Sequence, residues 1–130
     1  MARKFTYRGR QPEELRGMGS EEFIATLTSR ARRNLRRGGS RLRTFIGRVK
    51  RVIAAGGIKT IRTHNRDAVI MPEWLGLKFG VHNGKEFKVI EITPEKIGRR
   101  LGEYAHTTGP VKHSGPGVGA TRGSKFIPLK

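Results

Sequence analysis

Residues 77–92 read Leu77-Lys78-Phe79-Gly80-Val81-His82-Asn83-Gly84-Lys85-Glu86-Phe87-Lys88-Val89-Ile90-Glu91-Ile92. Apolar and polar side chains alternate over Leu77–Val81 and again over Phe87–Ile92, the two-residue period of a strand. Asn83-Gly84 lies between the runs. Both residues tolerate positive φ, so the stretch predicts a β-hairpin. Moving upstream, Ile58, Thr60 and Arg62 alternate around Lys59 and Ile61 and suggest another strand, and Val69-Ile70-Met71 is a short apolar run closed by Pro72. Downstream, Thr93-Pro94-Glu95 is a helix start, with Thr as cap and Pro at the first position, and a short helix is expected to end near Gly102.

Further upstream the period lengthens. Ser20 can cap a helix whose positive end faces Glu21 and Glu22. Phe23, Leu27, Ala31 and Leu35 then recur every fourth residue, and Gly38-Gly39 ends the run. A second helix is expected from Ser40 to Ala55, with Leu42, Ile46, Val49 and Ile53 as its stripe and Gly56-Gly57 as its stop. Outside these elements the chain loses periodicity. Residues 1–19 read as an extended basic arm, in which Arg3, Lys4, Arg8, Arg10 and Arg16 alternate with glycines and Pro12, and Phe5 and Tyr7 offer anchors. Beyond His106 there is neither an apolar period nor an acid, so residues 106–130 are expected to be a flexible basic tail that orders on a polyanion. The expected organisation is thus an arm (1–19), a single domain (20–105) and a tail (106–130).

Charge narrows the partner. Of 130 residues, 28 are Lys or Arg and 10 are Asp or Glu, a formal net charge of +18. Such self-repulsion needs a polyanion to offset it, and nucleic acid gains free energy by releasing counterions from each neutralised phosphate. Arg30, Arg32, Arg33, Arg36, Arg37, Arg41, Arg43, Arg48, Lys50 and Arg51 form an acid-free run across both predicted helices. Nine of these ten cations are Arg, whose planar fork bonds phosphate bidentately. The loop after Thr63 adds Asn65 and Arg66, suited to sugar, phosphate or base-edge contacts in irregular RNA. In the tail, Lys112, Arg122 and Lys125 continue the charge. A membrane surface is the rival polyanion, but the single Trp sits far from the most basic stretch and no apolar run reaches the length of a span.

Catalysis finds no support. The chain has no cysteine, which excludes disulfides, thiolate zinc sites and thiol nucleophiles and is compatible with a reducing cytoplasm. His64, His82, His106 and His113 show no metal-ligand spacing, and the ten acids form no cluster for a metal-dependent nuclease. No cofactor or metal is expected. Two other classes are weighed. The two basic helices around Gly38-Gly39-Ser40 permit a helix-turn-helix DNA reader, and His64 or His113 would have to serve a nuclease. The first leaves the strand-rich half and the basic tail unexplained; the second lacks a constellation.

One spacing is more specific. Asn83-Gly84-Lys85, then Ile92, Ile97-Gly98, Leu101-Gly102-Glu103-Tyr104 and Thr107 resembles the signature of the small-subunit S-nineteen ribosomal protein family, called fifteen-e in eukaryotes. Val81-His82, Arg62-Thr63 and Ile70-Met71-Pro72 are similar to that family too, and residues 1–38 look like its archaeal and eukaryotic type. The resemblance implies an α+β domain, helices packed on a small mixed sheet, in the head of the small subunit. It implies binding to the 3′ major domain of small-subunit ribosomal RNA, pairing with the S-thirteen protein, a bridge contact to the large subunit, and a tail approaching transfer RNA near the decoding site. Where bacterial members carry Trp-Ser-Arg-Arg, this chain has His64-Asn65-Arg66-Asp67, which keeps Arg66 as the implied contact. Thr107–His113 is similar to a more basic bacterial run and implies roles for Lys112 and His113. Within the signature, Ile92, Ile97 and Leu101 read as core, and His82, Asn83 and Lys85 at the hairpin tip as RNA contacts.

Overall fold

The hairpin is the centre of a three-stranded sheet. In the computed structural model, which describes residues 5–56 and 59–110, strand β2 (Lys78–His82) pairs antiparallel with β3 (Phe87–Glu91) and parallel with β1 (Ile61–Thr63). The sheet is therefore mixed, in the order β1-β2-β3. Four residues turn the hairpin. Asn83 N–H donates to Glu86 O at 3.0 Å, and the Asn83 side chain accepts from Lys85 N–H (3.0 Å) and Glu86 N–H (2.8 Å), while Gly84 takes φ +106°. The asparagine closes the turn with its own carbonyl, the usual service of this residue in loops.

One sheet face is dry. Ile61, Phe79, Val81 and Ile90 are buried, and helix α4 (Ser40–Ala54) covers them with Phe45 and Val49. Phe45 meets Trp74 edge-on at 5.9 Å and Phe79 at 6.2 Å. The stripe of α4 is rotated from the one expected: Phe45 and Val49 are deepest, Leu42, Ile46 and Val52 are half-buried, and Ile53 is exposed.

A second core lies beside the first. Leu15, Phe23, Leu27, Ala31, Val69 and Ile97 form it. Ala68–Met71 is the wall between the two clusters: Ile70 and Met71 belong to the sheet cluster and Val69 to the other. This apolar run is not a strand. It makes a single bridge, Val69 with Arg100, and is held by Ile70 N–H to Arg99 O (2.8 Å) and Leu101 N–H to Ala68 O (3.0 Å).

Three expectations are corrected. The helix from Ser20 is two helices, α2 (Ser20–Thr26) and α3 (Ser29–Arg37), because Leu27 and Thr28 are extended. The Thr26 hydroxyl donates to Phe23 O, and Arg32 Nη2 donates to Ala25 O (2.9 Å) and Leu27 O (3.0 Å), so side chains take up carbonyls that a continuous helix would have paired. The part of the arm within the described residues is folded rather than extended. Helix α1 (Pro12–Gly17) has Pro at its first turn, Glu14 reaches back to Gln11 N–H at 3.2 Å, and Leu15 is fully buried. Ahead of it, Tyr7 and Arg10 bridge across Arg8 and Gly9, both at positive φ. The Tyr7 ring then lies 6.3 Å from Phe23. Finally, the helix expected from Thr93 is two short 3-10 turns, Pro94–Lys96 and Leu101–Tyr104, separated by residues 97–100 with Gly98 at φ +78°. Ile97 and Leu101 enter different clusters, which a single helix could not arrange for residues one turn apart. Ile58 and the tail from residue 111, with Lys112, His113, Arg122 and Lys125, lie outside the described residues.

Candidate nucleic-acid interface

Helix α3 carries Arg30, Arg32, Arg33, Arg36 and Arg37 in nine residues. At 3.6 residues per turn these cannot share one face, and they divide by role. Arg32 points inward and ties off α2. Arg30, Arg33, Arg36 and Arg37 are exposed. At the corner between α3 and α4, Arg30, Arg33 and Arg37 join Arg41, the 64–68 loop and Arg100 around a groove of about 700 Å³. Its lining holds six arginines (Arg30, Arg33, Arg37, Arg41, Arg66 and Arg100) against one acid, Asp67, which lies 3.8 Å from Arg100. Asn34 also lines the groove, and its buried Oδ1 has no partner among the described residues. The groove thus offers a fence of guanidinium donors beside the Asp67 carboxylate and the Asn34 and Asn65 amides, a set that fits a phosphodiester chain with its ribose hydroxyls.

Arg66 is turned away from solvent. Its Nη1 donates to His82 O at 2.7 Å, and its Nη2 donates to Gly102 O at 2.9 Å and Ala105 O at 2.5 Å. Gly102 N–H returns a bond to Arg66 O at 2.8 Å. The arginine is a clip that joins the loop, the hairpin and the last 3-10 turn. This also explains the glycine of Leu101-Gly102-Glu103-Tyr104, since a Cβ there would stand 2.9 Å from Arg66 Cβ and 3.0 Å from Arg66 O. In the same motif, burial raises the Tyr104 hydroxyl above its ordinary value, with Arg99 opposing the shift.

The remaining predicted residues are dispersed. Arg43, Arg48, Lys50 and Arg51 are exposed on α4 and do not line the groove. Asn65 is half-buried at the groove and donates its N–H to Thr63 Oγ1 at 3.0 Å. Lys85 is exposed at the hairpin tip, where Asn83 is occupied by the turn and His82 Nδ1 accepts from Gly84 N–H at 3.1 Å. Sequence reading missed Asn34 and Arg100 as groove residues. Arg100 comes from 34 positions beyond Arg66, and only the backbone bridge to Val69 brings it to the loop. A smaller cleft of about 360 Å³ lies elsewhere, between α1 and the turn after β3; there Glu13 and Glu91 face an apolar floor that includes Leu75 and Ile92. Among the described residues no group of His, Asp and Glu could hold a metal ion.

The family profile described as Ribosomal protein S19 matches residues 33–113. The chain is 46% identical to the small ribosomal subunit protein uS19 of Methanococcus maripaludis over 132 aligned positions, which cover 98% of this chain and 82% of that protein. It is 47% identical to the small ribosomal subunit protein uS19 of Saccharolobus solfataricus over 130 positions, covering 98% and 93%.

Proposed function

This chain belongs to the ribosomal protein S19 family, in its archaeal type, and from that membership we propose that it holds the head of the small ribosomal subunit together by neutralising ribosomal RNA phosphates. It is a structural constituent of the small subunit, within the ribosome of the cytoplasm, and not an enzyme. The RNA would be the 3′ major domain of the small-subunit ribosomal RNA. The S-thirteen protein would be its neighbour in the head, with a bridge contact to the large subunit. The tail, including Lys112, His113, Arg122 and Lys125, would reach toward transfer RNA near the decoding site.

The observation that carries this reading is the convergence of Arg30, Arg33, Arg37, Arg41 and Arg100 on one groove from three separate parts of the chain. Isolated surface arginines are ordinary solvated groups. Five of them around one groove, with a single acid, repel one another unless an anion lies between them. The test is cosedimentation with small subunits reconstituted without this protein, followed by crosslinking to the RNA. Crosslinks from α3 and the 64–68 loop to the 3′ major domain are expected. Equal binding to a 5′-domain fragment at the same salt would overturn the assignment to the head.

A further inference from the structure

The face of the sheet that α4 does not cover is unusual. Register places Arg62, Gly80 and Val89 in one row across the three strands, and His82 with Phe87 in the next, with His64 just beyond the end of β1. Gly80 leaves the middle of this face without a side chain. A Cβ there would meet Arg62 Cγ at 3.3 Å and Phe87 Cβ at 3.6 Å. Because the position is glycine, Arg62 can cross β2 from one edge strand to the other, and its guanidinium carbon lies 5.5 Å from the Phe87 ring centroid. Beside it, the His64 and His82 rings lie 4.6 Å apart with 33° between their planes. Phe87 stands edge-on to both, at 5.2 Å and 4.8 Å. His82 is fixed by Gly84 N–H, so the cluster is built on the hairpin rather than on a free loop. Val89 is 60% exposed on the same face. A sheet face wetted by solvent alone favours polar residues here.

We propose that this cluster is a stacking platform for an unpaired RNA base, its exposed outer layer being the His64 ring. The proposal rests on the RNA-binding role inferred above and adds the class of ligand group and where it sits. Two observations point to a base. The surface is aromatic and partly cationic, which suits the π-face that every base carries. And His64 lines the arginine groove as well, so a strand whose phosphates follow the groove would bring a base to the ring. Phosphates alone would need neither the stacked imidazoles nor Phe87.

The test is titration of a small-subunit ribosomal RNA transcript with the full chain, comparing the unaltered protein with His64→Ala, His64→Tyr and Arg33→Ala/Arg37→Ala across a salt series. His64 makes no side-chain hydrogen bond among the described residues and is exposed, so circular dichroism should be unchanged in its variants. Stacking predicts that His64→Ala loses about tenfold in affinity with the salt slope unchanged, and that His64→Tyr binds within about twofold of the unaltered chain. The double arginine variant should instead flatten the slope by about 1.4 to 1.8. Full affinity in His64→Ala, a flattened slope in that variant, or a His64→Tyr variant as weak as His64→Ala would each overturn the platform while leaving the phosphate groove standing. A slope shallower than about −2 for the unaltered chain would sink the phosphate reading itself, and it is read without any His64 variant.

Discussion

Arg66 and Gly102 form one unit, and each sets the requirements of the other. Arg66→Ala removes the guanidinium that donates to the carbonyls of His82, Gly102 and Ala105. A cost of about 2–4 kcal/mol is expected, since bonds to a charged donor are worth more than neutral ones and the freed acceptors are partly buried. Arg66→Lys recovers only part of it, because an ammonium cannot reach three divergent carbonyls in the plane of a guanidinium. Denaturant unfolding measures both variants, and full stability in Arg66→Ala would show that the clip is not needed. Gly102→Ala pushes a methyl group into Arg66 from the other side, with a loss of about 1–3 kcal/mol expected in the same assay. Sequence reading took Arg66 as a ligand-facing group, because an arginine in a polar loop looks alike whether its partners are phosphates or carbonyls. Only three carbonyls brought together from residues 82, 102 and 105 distinguish the cases, and none of them has a sequence signature.

Among the elements, those with a sustained period or a side-chain-defined turn were legible. The β2–β3 hairpin could be read from Asn83-Gly84 and the alternation around it, and α4 from its length. The break between α2 and α3 was not, because Phe23, Leu27 and Ala31 are all buried whether the helix is continuous or bent. Helix α1 has six residues and one buried side chain, too short to display a period. Its place in the second core gives a direct check. Leu15→Ala should cost about 2–5 kcal/mol, the range for emptying a packed core site. A loss under about 0.5 kcal/mol would return residues 12–17 to the status of a loosely held arm. The stacking cluster was illegible for another reason: Arg62, His64, His82 and Phe87 are neighbours only because β1 and β3 flank a common central strand.

At the scale of the whole molecule, charge is distributed by element. The arginine groove belongs to α3, the start of α4 and the 64–68 loop, whereas Glu13 and Glu91 occupy a different cleft beside α1. If roughly eight phosphates are neutralised, log K for ribosomal RNA should fall with log salt at a slope of about −6 to −7. Filter binding between low and moderate salt reads that slope, and Glu13→Gln should leave it unchanged. The wall at Ala68–Met71 carries one more consequence. Four consecutive side chains are sealed from water there, each 7% exposed or less, with one cluster on either side. Neither compartment can be opened without wetting the partition of the other. Heat should therefore take the molecule apart in a single calorimetric step, and the amides of Ile70 and Leu101 should exchange with solvent only through that same global event. Two resolved steps would mean that the helical compartment can detach while the sheet stays shut.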